Sequence, residues 1–240
     1  MTHEWDALSE VFDVHKQGAG IDPKAADNIL IAWPPMTEAI EGHFHGRSGL
    51  RALDYGCGTG GFTAKLASLG FEAIGMDNSS KMIDKARQTV GDNKTTNFIV
   101  GNADRILNLE PVDLMSAVMV FQLVKDIETN FQNLAKVITP DGMMVFAVHN
   151  PRYVSRCLEK EVLFRDFDSR QNPKQGNIDF GTAQVPIFIR TAQDYTDILQ
   201  SLDFRKVLET YPPFTPEFIA QYHPDTPTEV SEYLVMGFVK

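Results

Sequence analysis

Short apolar runs alternate with helical segments between residues 50 and 148, and this alternation constrains the fold more than any other sequence feature. Strands that alternate with helices form right-handed βαβ units, which build a parallel sheet covered by helices. The predicted strands are Leu50–Tyr55, Phe71–Met76, Asn97–Val100, Leu114–Phe121 and Gly142–Val148, and the predicted helices are Gly60–Leu69, Ser79–Val90 and Ile127–Ile138. The sequence therefore predicts an α/β fold with a doubly wound, mainly parallel sheet.

The segments on either side of this core are patterned more loosely. The sequence of residues 1–49 predicts a helical cap. Asp22 before Pro23 marks a helix start, and Trp33-Pro34-Pro35 is expected to interrupt that helix. Apolar residues at helical spacing predict one face of a helix before it: Trp5, Leu8, Val11 and Phe12. Residues 149–190 predict a lid or substrate insertion, because 150–181 has no clear period.

The end of the chain returns to strands and helices. The predicted elements are a strand at Val185–Arg190, a helix at Ala192–Leu202, and strands at Phe204–Thr210 and Tyr233–Val239. A proline-rich connection precedes the last strand. We find no internal repeat and no long linker, so residues 1–240 are expected to form a single domain.

Composition excludes several classes of protein. The net charge of −10 argues against extended binding to nucleic acid or to an anionic membrane, which both require a basic face. Two cysteines cannot form a disulfide framework, and no apolar run approaches the ~18 residues of a membrane span. No secretory signal pattern opens the chain. A cytoplasmic location is therefore expected, and the composition makes no prediction of oligomeric state.

A glycine-rich loop follows the first predicted strand of the core and opens the next helix. The loop reads Leu-Asp-Tyr-Gly-Cys-Gly-Thr-Gly-Gly over residues 53–61. Glycines permit tight turns and let a ligand approach the backbone closely. Gly56, Gly58 and Gly61 match the dinucleotide spacing G-x-G-x-x-G, whereas Gly56, Gly58 and Gly60 match G-x-G-x-G. The glycines alone leave both alternatives open.

Two acidic residues near the loop narrow the choice. Asp77 ends the next predicted strand, where an acid can accept hydrogen bonds from ribose hydroxyls. Asp54 lies two residues before the first glycine, where a carboxylate disfavours a pyrophosphate and favours a cationic ammonium. S-adenosylmethionine carries an ammonium and a sulfonium and has no phosphate.

With these residues the chain resembles the class I S-adenosylmethionine-dependent methyltransferases of the small-molecule type. Five segments between about Arg51 and Val148 resemble the family's motifs in order: residues 53–60, 75–82, 101–104, 113–126 and 141–146. The resemblance implies a Rossmann-like, seven-stranded sheet with helices on both faces and an antiparallel last strand. It also makes residues 50–148 a cofactor-binding core and 191–240 a C-terminal helix with strands.

The resemblance implies a set of cofactor-binding residues: Asp54, Gly56, Gly58, Gly60, Asp77, Asn78, Met82, Asn102, Ala103, Asp104 and Phe121. The three glycines would shape the loop under the methionine part of S-adenosylmethionine. Asp54 would face its ammonium, and Asp77 would accept the ribose hydroxyls.

The remaining residues would surround the adenine and the ammonium. Asn78 and Met82 would flank the adenine, and Asp104 would accept a hydrogen bond from its amino group. The backbone amide of Ala103 would donate to a ring nitrogen. The backbone carbonyl of Phe121 would hold the ammonium.

The acceptor side is less clearly marked. Methyl transfer from a sulfonium is an in-line displacement in which positioning matters most, so a general base is optional. His149 is the candidate base, because it follows a strand at the carboxyl edge of the sheet and suits proton transfer near neutral pH. No metal is expected. The acceptor is predicted to be a small molecule, with product S-adenosylhomocysteine.

Two other functions stay open at this point. A nicotinamide-dependent oxidoreductase would use the other glycine spacing, although Asp54 and the later motifs oppose it. An S-adenosylmethionine-binding protein acting in RNA modification would keep the cofactor site without this acceptor.

Overall fold

The computed structural model describes Trp5, Asp6, Leu8, Phe12 and residues 23–240. The predicted N-cap at Asp22 and the part of the predicted apolar face at Val11 lie outside these residues. Of the other members of that face, Leu8 is fully buried, whereas Trp5 and Phe12 are half-buried and contact the ring of Phe180.

A seven-stranded sheet forms the centre of the protein, as the resemblance implied. Its strands are β1 (Arg51–Tyr55), β2 (Glu72–Asp77), β3 (Thr96–Val100), β4 (Val112–Val118), β5 (Ile138–His149), β9 (Arg205–Thr210) and β10 (Tyr233–Val239). The strand order is β3-β2-β1-β4-β5-β10-β9. Within the part of the sheet formed by β1 to β5, adjacent strands run parallel. The last strand, β10, runs antiparallel to both of its neighbours. The predicted α/β fold with an antiparallel last strand is confirmed.

Helices cover both faces of this sheet. They are α1 (Pro23–Asp27), α2 (Trp33–His43), α3 (Gly61–Ser68), α4 (Ser80–Thr89), α5 (Ala103–Ile106), α6 (Ile127–Val137), α7 (Pro151–Glu159), α8 (Ala192–Gln200) and α9 (Pro216–Tyr222). A π-helical turn, Asn28–Ala32, joins α1 to α2, and a 3₁₀ turn, Phe121–Leu123, follows β4. Two large apolar clusters form the core, and alternate residues of the central strands point into each of them.

The predicted interruption at Trp33-Pro34-Pro35 is a change of helix type and not a break in the chain of helical turns. The helix changes from π to α geometry at this point and continues to His43, with the prolines in the first turn of α2. Proline is tolerated there because the first backbone N–H groups of a helix have no partner within that helix.

The predicted strand at Leu114–Phe121 is too long. The strand β4 ends at Val118, and Met119 has a positive φ of 58° that turns the chain into the 3₁₀ segment. The apolar run continues past the strand because the side chain of Phe121 is fully buried beside Phe131 and Phe146. Burial, rather than strand geometry, explains these apolar residues.

Regular structure fills the segment that showed no period. The helix α7 is followed by a three-stranded antiparallel sheet: β6 (Phe164–Asp168), β7 (Lys174–Asp179) and β8 (Gln184–Ile189). Phe164, Ile178 and Ile187 are buried and belong to the same apolar cluster as the central sheet. Most other side chains of β6 and β7 are polar and partly exposed, so their apolar alternation was too weak to predict strands.

Across the described residues, no helix has both the length and the apolar character needed to traverse a membrane.

Candidate active site

A cavity opens at the edge where the parallel strands end. The carboxyl ends of β1, β2, β4 and β5 meet at this edge, and β10, being antiparallel, begins there with Tyr233 paired to His149. The cavity has a volume of about 810 Å³. Open α/β sheets bind ligands outside the carboxyl ends of their strands, so the topology places a ligand site here.

The glycine loop turns under one half of this cavity. The backbone amides of Gly56 and Cys57 both donate to the carbonyl oxygen of Met76, at 2.7 and 3.0 Å. Gly56 has a φ of +71°, and a Cβ there would lie 2.3 Å from Cγ2 of Val120. The first glycine is therefore required both by backbone conformation and by space.

Asp77 lies at the end of β2 and is held by two backbone amides. Its Oδ2 accepts from Gly58 N at 3.0 Å, and its Oδ1 accepts from Ser79 N at 2.9 Å. Ser79 caps α4 through a bond from Met82 N. Burial raises the pKa of Asp77, and the backbone hydrogen bonds partly offset that rise. The carboxyl group is thus fixed in the cavity wall between the loop and a helix start.

Asp54 lies deeper, at the base of the same half. Its Oδ2 accepts from the Thr63 hydroxyl at 2.7 Å, and its Oδ1 accepts from the Ser116 hydroxyl at 2.9 Å. The side chain is buried, and this burial raises its pKa from 3.8 to about 6, against the lowering effect of both hydroxyls. Above that pH the site carries a buried negative charge with only neutral donors bound to it.

Residues that follow β2 and β3 form another wall of this half of the cavity. Asn78, Met82, Asn102 and Ala103 line the cavity, and the Asn102 side chain caps α5 by accepting from the Asp104 amide at 3.2 Å. The structure thus brings together most of the residues predicted for the cofactor.

Three of the predicted residues lie away from the cavity lining. Asp104 is exposed on α5, and Gly60 backs onto the ring of Phe98, which a Cβ at Gly60 would approach to 2.8 Å. The Phe121 carbonyl accepts from the Arg190 guanidinium at 3.5 Å and from the Val124 amide at 3.3 Å. Gly60 shapes the loop by packing, and the assigned contacts of Asp104 and Phe121 stay predictions.

The other half of the cavity is lined by residues that sequence reasoning mostly missed. Glu232 lies directly before β10, Tyr153 belongs to α7, and Asp27 ends α1. Glu232 could have been found from the antiparallel order of the last strand, which places the residue before that strand at the ligand edge. Asp27 carried no sequence signal, because it follows from how the helical cap packs.

His149 ends β5 at the cavity and is buried. Its Nδ1 is 3.7 Å from Oε1 of Glu232, too far for a hydrogen bond, and makes none in the described part of the chain. Burial lowers the pKa of His149 from 6.5 to about 3, so the imidazole is neutral at pH 7. A group with so low a pKa is a weak base.

Several buried polar atoms at the cavity have no hydrogen-bond partner among the described residues. They are Trp33 Nε1, Gln122 Oε1, Asn130 Oδ1 and His149 Nδ1. Buried polar groups in proteins are nearly always hydrogen-bonded, so these atoms can bond to water or to polar groups of a ligand in the cavity. Within residues 23–240 and the four described residues before them, no cluster of three metal-ligating side chains occurs.

Comparison with known proteins agrees with this geometry. Residues 53–146 match a family described as a methyltransferase domain. The ubiquinone biosynthesis O-methyltransferase of Bradyrhizobium diazoefficiens is 30% identical over 155 residues, which cover 64% of this chain and 60% of that protein. The biotin biosynthesis bifunctional protein BioHC of Cellvibrio japonicus is 33% identical over 102 residues, which cover 42% of this chain and 20% of that protein.

A solved structure shows the same fold over most of the chain. The S-adenosylmethionine-dependent methyltransferase from Mesorhizobium loti superposes with a TM-score of 0.64 at 20% identity, covering 85% of this chain and 96% of that one. The aligned regions span between a fifth and three-fifths of these two curated relatives. Residues 53–146 therefore match a methyltransferase domain, and the fold of the chain is that of a solved S-adenosylmethionine-dependent methyltransferase.

Proposed function

We propose that the chain binds S-adenosylmethionine in the half of the cavity at the glycine loop and transfers its methyl group to a small molecule in the other half. The observation that carries the proposal is the arrangement of Asp54, Gly56 and Asp77 around one end of a single cavity.

The residues present fit this cofactor. Asp54 supplies a negative charge for the ammonium, and Asp77 offers carboxylate oxygens to ribose hydroxyls. The apolar Met82 and the α5 start at Asn102 and Ala103 provide the surface for the adenine. When bound, S-adenosylmethionine supplies an activated methyl group on sulfur.

The chain's own residues would orient the acceptor and exclude water. Tyr153 and Glu232 are buried at the acceptor half, where they can hold polar atoms of a substrate. The cavity volume of about 810 Å³ lies in the range for small-molecule sites, about 300–1,000 Å³. The names of the relatives from ubiquinone and biotin synthesis also favour a small acceptor. The low pKa of His149 makes it unsuited to act as a general base and favours an orienting role for it.

Calorimetric titration with S-adenosylmethionine, S-adenosylhomocysteine and NAD tests the donor site. We expect saturable binding of the two sulfur compounds and none of NAD. Asp77→Ala should weaken binding by about 1–3 kcal/mol, the scale of a charged hydrogen bond left unmade. Asp92→Ala is the matched control, because Asp92 is exposed and lies beyond α4.

Binding of NAD without binding of either sulfur compound would contradict the proposal and favour the oxidoreductase. A screen of candidate acceptors with methyl-labelled S-adenosylmethionine then tests the transfer itself.

A further inference from the structure

The acceptor half of the cavity is built where three elements meet. The end of β5 contributes His149, α7 contributes Tyr153, and the loop before β10 contributes Glu232. Asn150 fixes this junction, because its backbone amide donates to the Glu232 carbonyl at 2.7 Å and its side chain donates to the Ser231 carbonyl at 2.8 Å. The backbone at Ser231 and Glu232 is therefore held in a set position beside the cavity.

Glu232 is a buried acid that lacks a basic partner. Its side chain is 10% exposed, and no lysine or arginine in the described part of the chain forms an ion pair with it. The neighbouring His149 is neutral. Burial and the charge of Asp27 raise the pKa of Glu232, and a hydrogen bond with the Tyr153 side chain partly offsets that rise. A buried carboxyl group of this kind gains most from a ligand that donates hydrogen bonds or carries positive charge.

The charge of the whole lining has the same sign. Among the described residues that line the cavity, six are acidic, one is a lysine and none is an arginine. The lysine, Lys125, is exposed after the 3₁₀ turn that follows β4. An acceptor bearing a carboxylate or phosphate would be repelled here, whereas a cation would be attracted.

Aromatic side chains form much of the remaining surface of this half: Trp33, Tyr153, Phe214, Phe218, Tyr222 and Tyr233. Tyr153 and Phe214 are buried with ring centroids 6.4 Å apart, and Phe214 packs on Phe218 at 5.6 Å. Aromatic faces bind apolar groups and also attract ammonium ions.

We propose that the methyl acceptor is an amine on an apolar or aromatic body, with its nitrogen held by the carboxyl group of Glu232. This proposal rests on the methyltransferase function proposed above and names the acceptor for the same site. The hydroxyl of Tyr153 and the Nδ1 of His149 lie beside that position and can hold the amine or a second polar group of the substrate.

The proton balance of the reaction suits this residue. A protonated amine that enters the site transfers one proton to the Glu232 carboxylate, which leaves a neutral nitrogen with a free electron pair. That pair forms the new bond to the methyl carbon while the carbon–sulfur bond breaks and its electrons stay on sulfur. The products are a methylammonium and a thioether. Glu232 then releases its proton to solvent, so one proton is released per turnover.

Three matched probes test the proposal by binding alone: 2-phenylethylamine, 2-phenylethanol and 3-phenylpropionate. Each is titrated calorimetrically into the full chain, with and without saturating S-adenosylhomocysteine. We expect the amine to bind at least about tenfold more tightly than the alcohol and the carboxylate, as charged hydrogen bonds exceed neutral ones.

Two variants locate the effect. Glu232→Gln, which keeps the shape of the side chain, should weaken amine binding about tenfold and leave alcohol binding nearly unchanged. Glu229→Gln is the control, because Glu229 lies on the same loop but is exposed and pairs with Arg156 and Lys160. The affinity of each variant for S-adenosylhomocysteine reports whether the donor half is intact.

The outcomes separate the two proposals. Preference for the alcohol or the carboxylate, equal binding of the three probes, or no binding of any of them overturns the amine acceptor. Unchanged amine binding by Glu232→Gln overturns the role of Glu232. If amine preference is observed while S-adenosylhomocysteine does not bind, the donor assignment fails and the amine site stands.

Discussion

Asp54, which we propose to bind the ammonium of the cofactor, lowers the stability of the ligand-free folded chain through its burial. Its carboxyl group is buried between two hydroxyls, and its pKa of about 6 lies above the ordinary 3.8. The folded state therefore binds more protons than the unfolded state between these two values. The free energy of unfolding falls as pH rises from about 4 to about 6, and stays lower above that range.

Asp54→Asn should therefore stabilise the ligand-free protein at pH 7.5 and not at pH 4. The shift of about two pKa units corresponds to about 3 kcal/mol at most. Urea denaturation at both pH values measures the difference. Glu72→Gln is the control, because Glu72 is exposed on the neighbouring strand β2.

The same substitution should weaken binding of S-adenosylhomocysteine, whose ammonium would lose its charged partner. For the unsubstituted chain, affinity should rise as pH passes upward through about 6, as Asp54 ionises. A stabilising Asp54→Asn that binds S-adenosylhomocysteine as well as the original chain does would remove Asp54 from the donor site.

Gly56 and Gly58 are two glycines of the same loop that differ in one respect. Both have positive φ, but a Cβ at Gly56 would meet Val120 whereas a Cβ at Gly58 meets nothing within 4 Å. Gly58→Ala should lower the free energy of unfolding by about 1 kcal/mol through backbone strain alone. Gly56→Ala should lower the free energy of unfolding by a further 1–3 kcal/mol, roughly the cost of overpacking.

Denaturation of both variants measures this difference, and Val120→Ala added to Gly56→Ala should restore part of the loss. Equal destabilisation by the two substitutions, or no recovery in the double variant, would mean that the contact with Val120 is not what requires glycine.

At the scale of elements, the core could be predicted because its signals are local. The strands β1 and β2 and the helix α4 each have an apolar run or a cap within a few residues, and Ser79 caps α4 where the sequence predicted a helix start. The strand β8 was predicted at Val185–Arg190, because most of its side chains are buried. The strands β6 and β7 of the same small sheet could not be predicted, because few of their side chains are buried and their order depends on packing against the central cluster.

The two halves of the candidate site also differ in how far the sequence predicts them. The donor half follows from a loop and two strand ends that are close in sequence. The acceptor half joins residues from α1, α7 and the loop before β10, which only tertiary packing brings together. Glu232 therefore had no local pattern to reveal it.

Asn150 connects two elements of the acceptor half, the helix α7 and the loop before β10. It caps α7 by accepting from the Arg152 amide at 3.0 Å, and it also holds the Ser231–Glu232 backbone. Asn150→Ala should cost about 1–2 kcal/mol of stability and raise the KM for the acceptor while the Kd for S-adenosylhomocysteine stays unchanged.

Asp126→Ala is the control for this prediction, because Asp126 caps α6 by accepting from the Thr129 amide and is exposed. It should cost about 1 kcal/mol and change neither constant. An Asn150→Ala variant with an unchanged acceptor KM would show that the cap alone explains the residue.

At the scale of the whole molecule, the two halves of the cavity share one core. One apolar cluster includes residues of α2, the central sheet, α7 and the small sheet, so we expect residues 1–240 to unfold as the predicted single domain. Scanning calorimetry should show one transition, and S-adenosylhomocysteine at 100 times its Kd should stabilise it by about 2.7 kcal/mol.

Two transitions, of which only one responds to S-adenosylhomocysteine, would contradict a single domain. The net charge of −10 keeps its earlier meaning at this scale, because extended binding to nucleic acid stays disfavoured and the cytoplasmic location stays a prediction. In the part of the chain that the structure describes, six of the acidic side chains line the cavity.

The antiparallel strand β10 has a consequence for the order in which the protein is made. The residues predicted for the donor half lie between Asp54 and Phe121, whereas Glu232 follows about 110 residues later in the chain. A chain emerging from the ribosome can therefore complete its donor half while its acceptor half still lacks a wall. The order of synthesis therefore completes the proposed donor half before the proposed acceptor half.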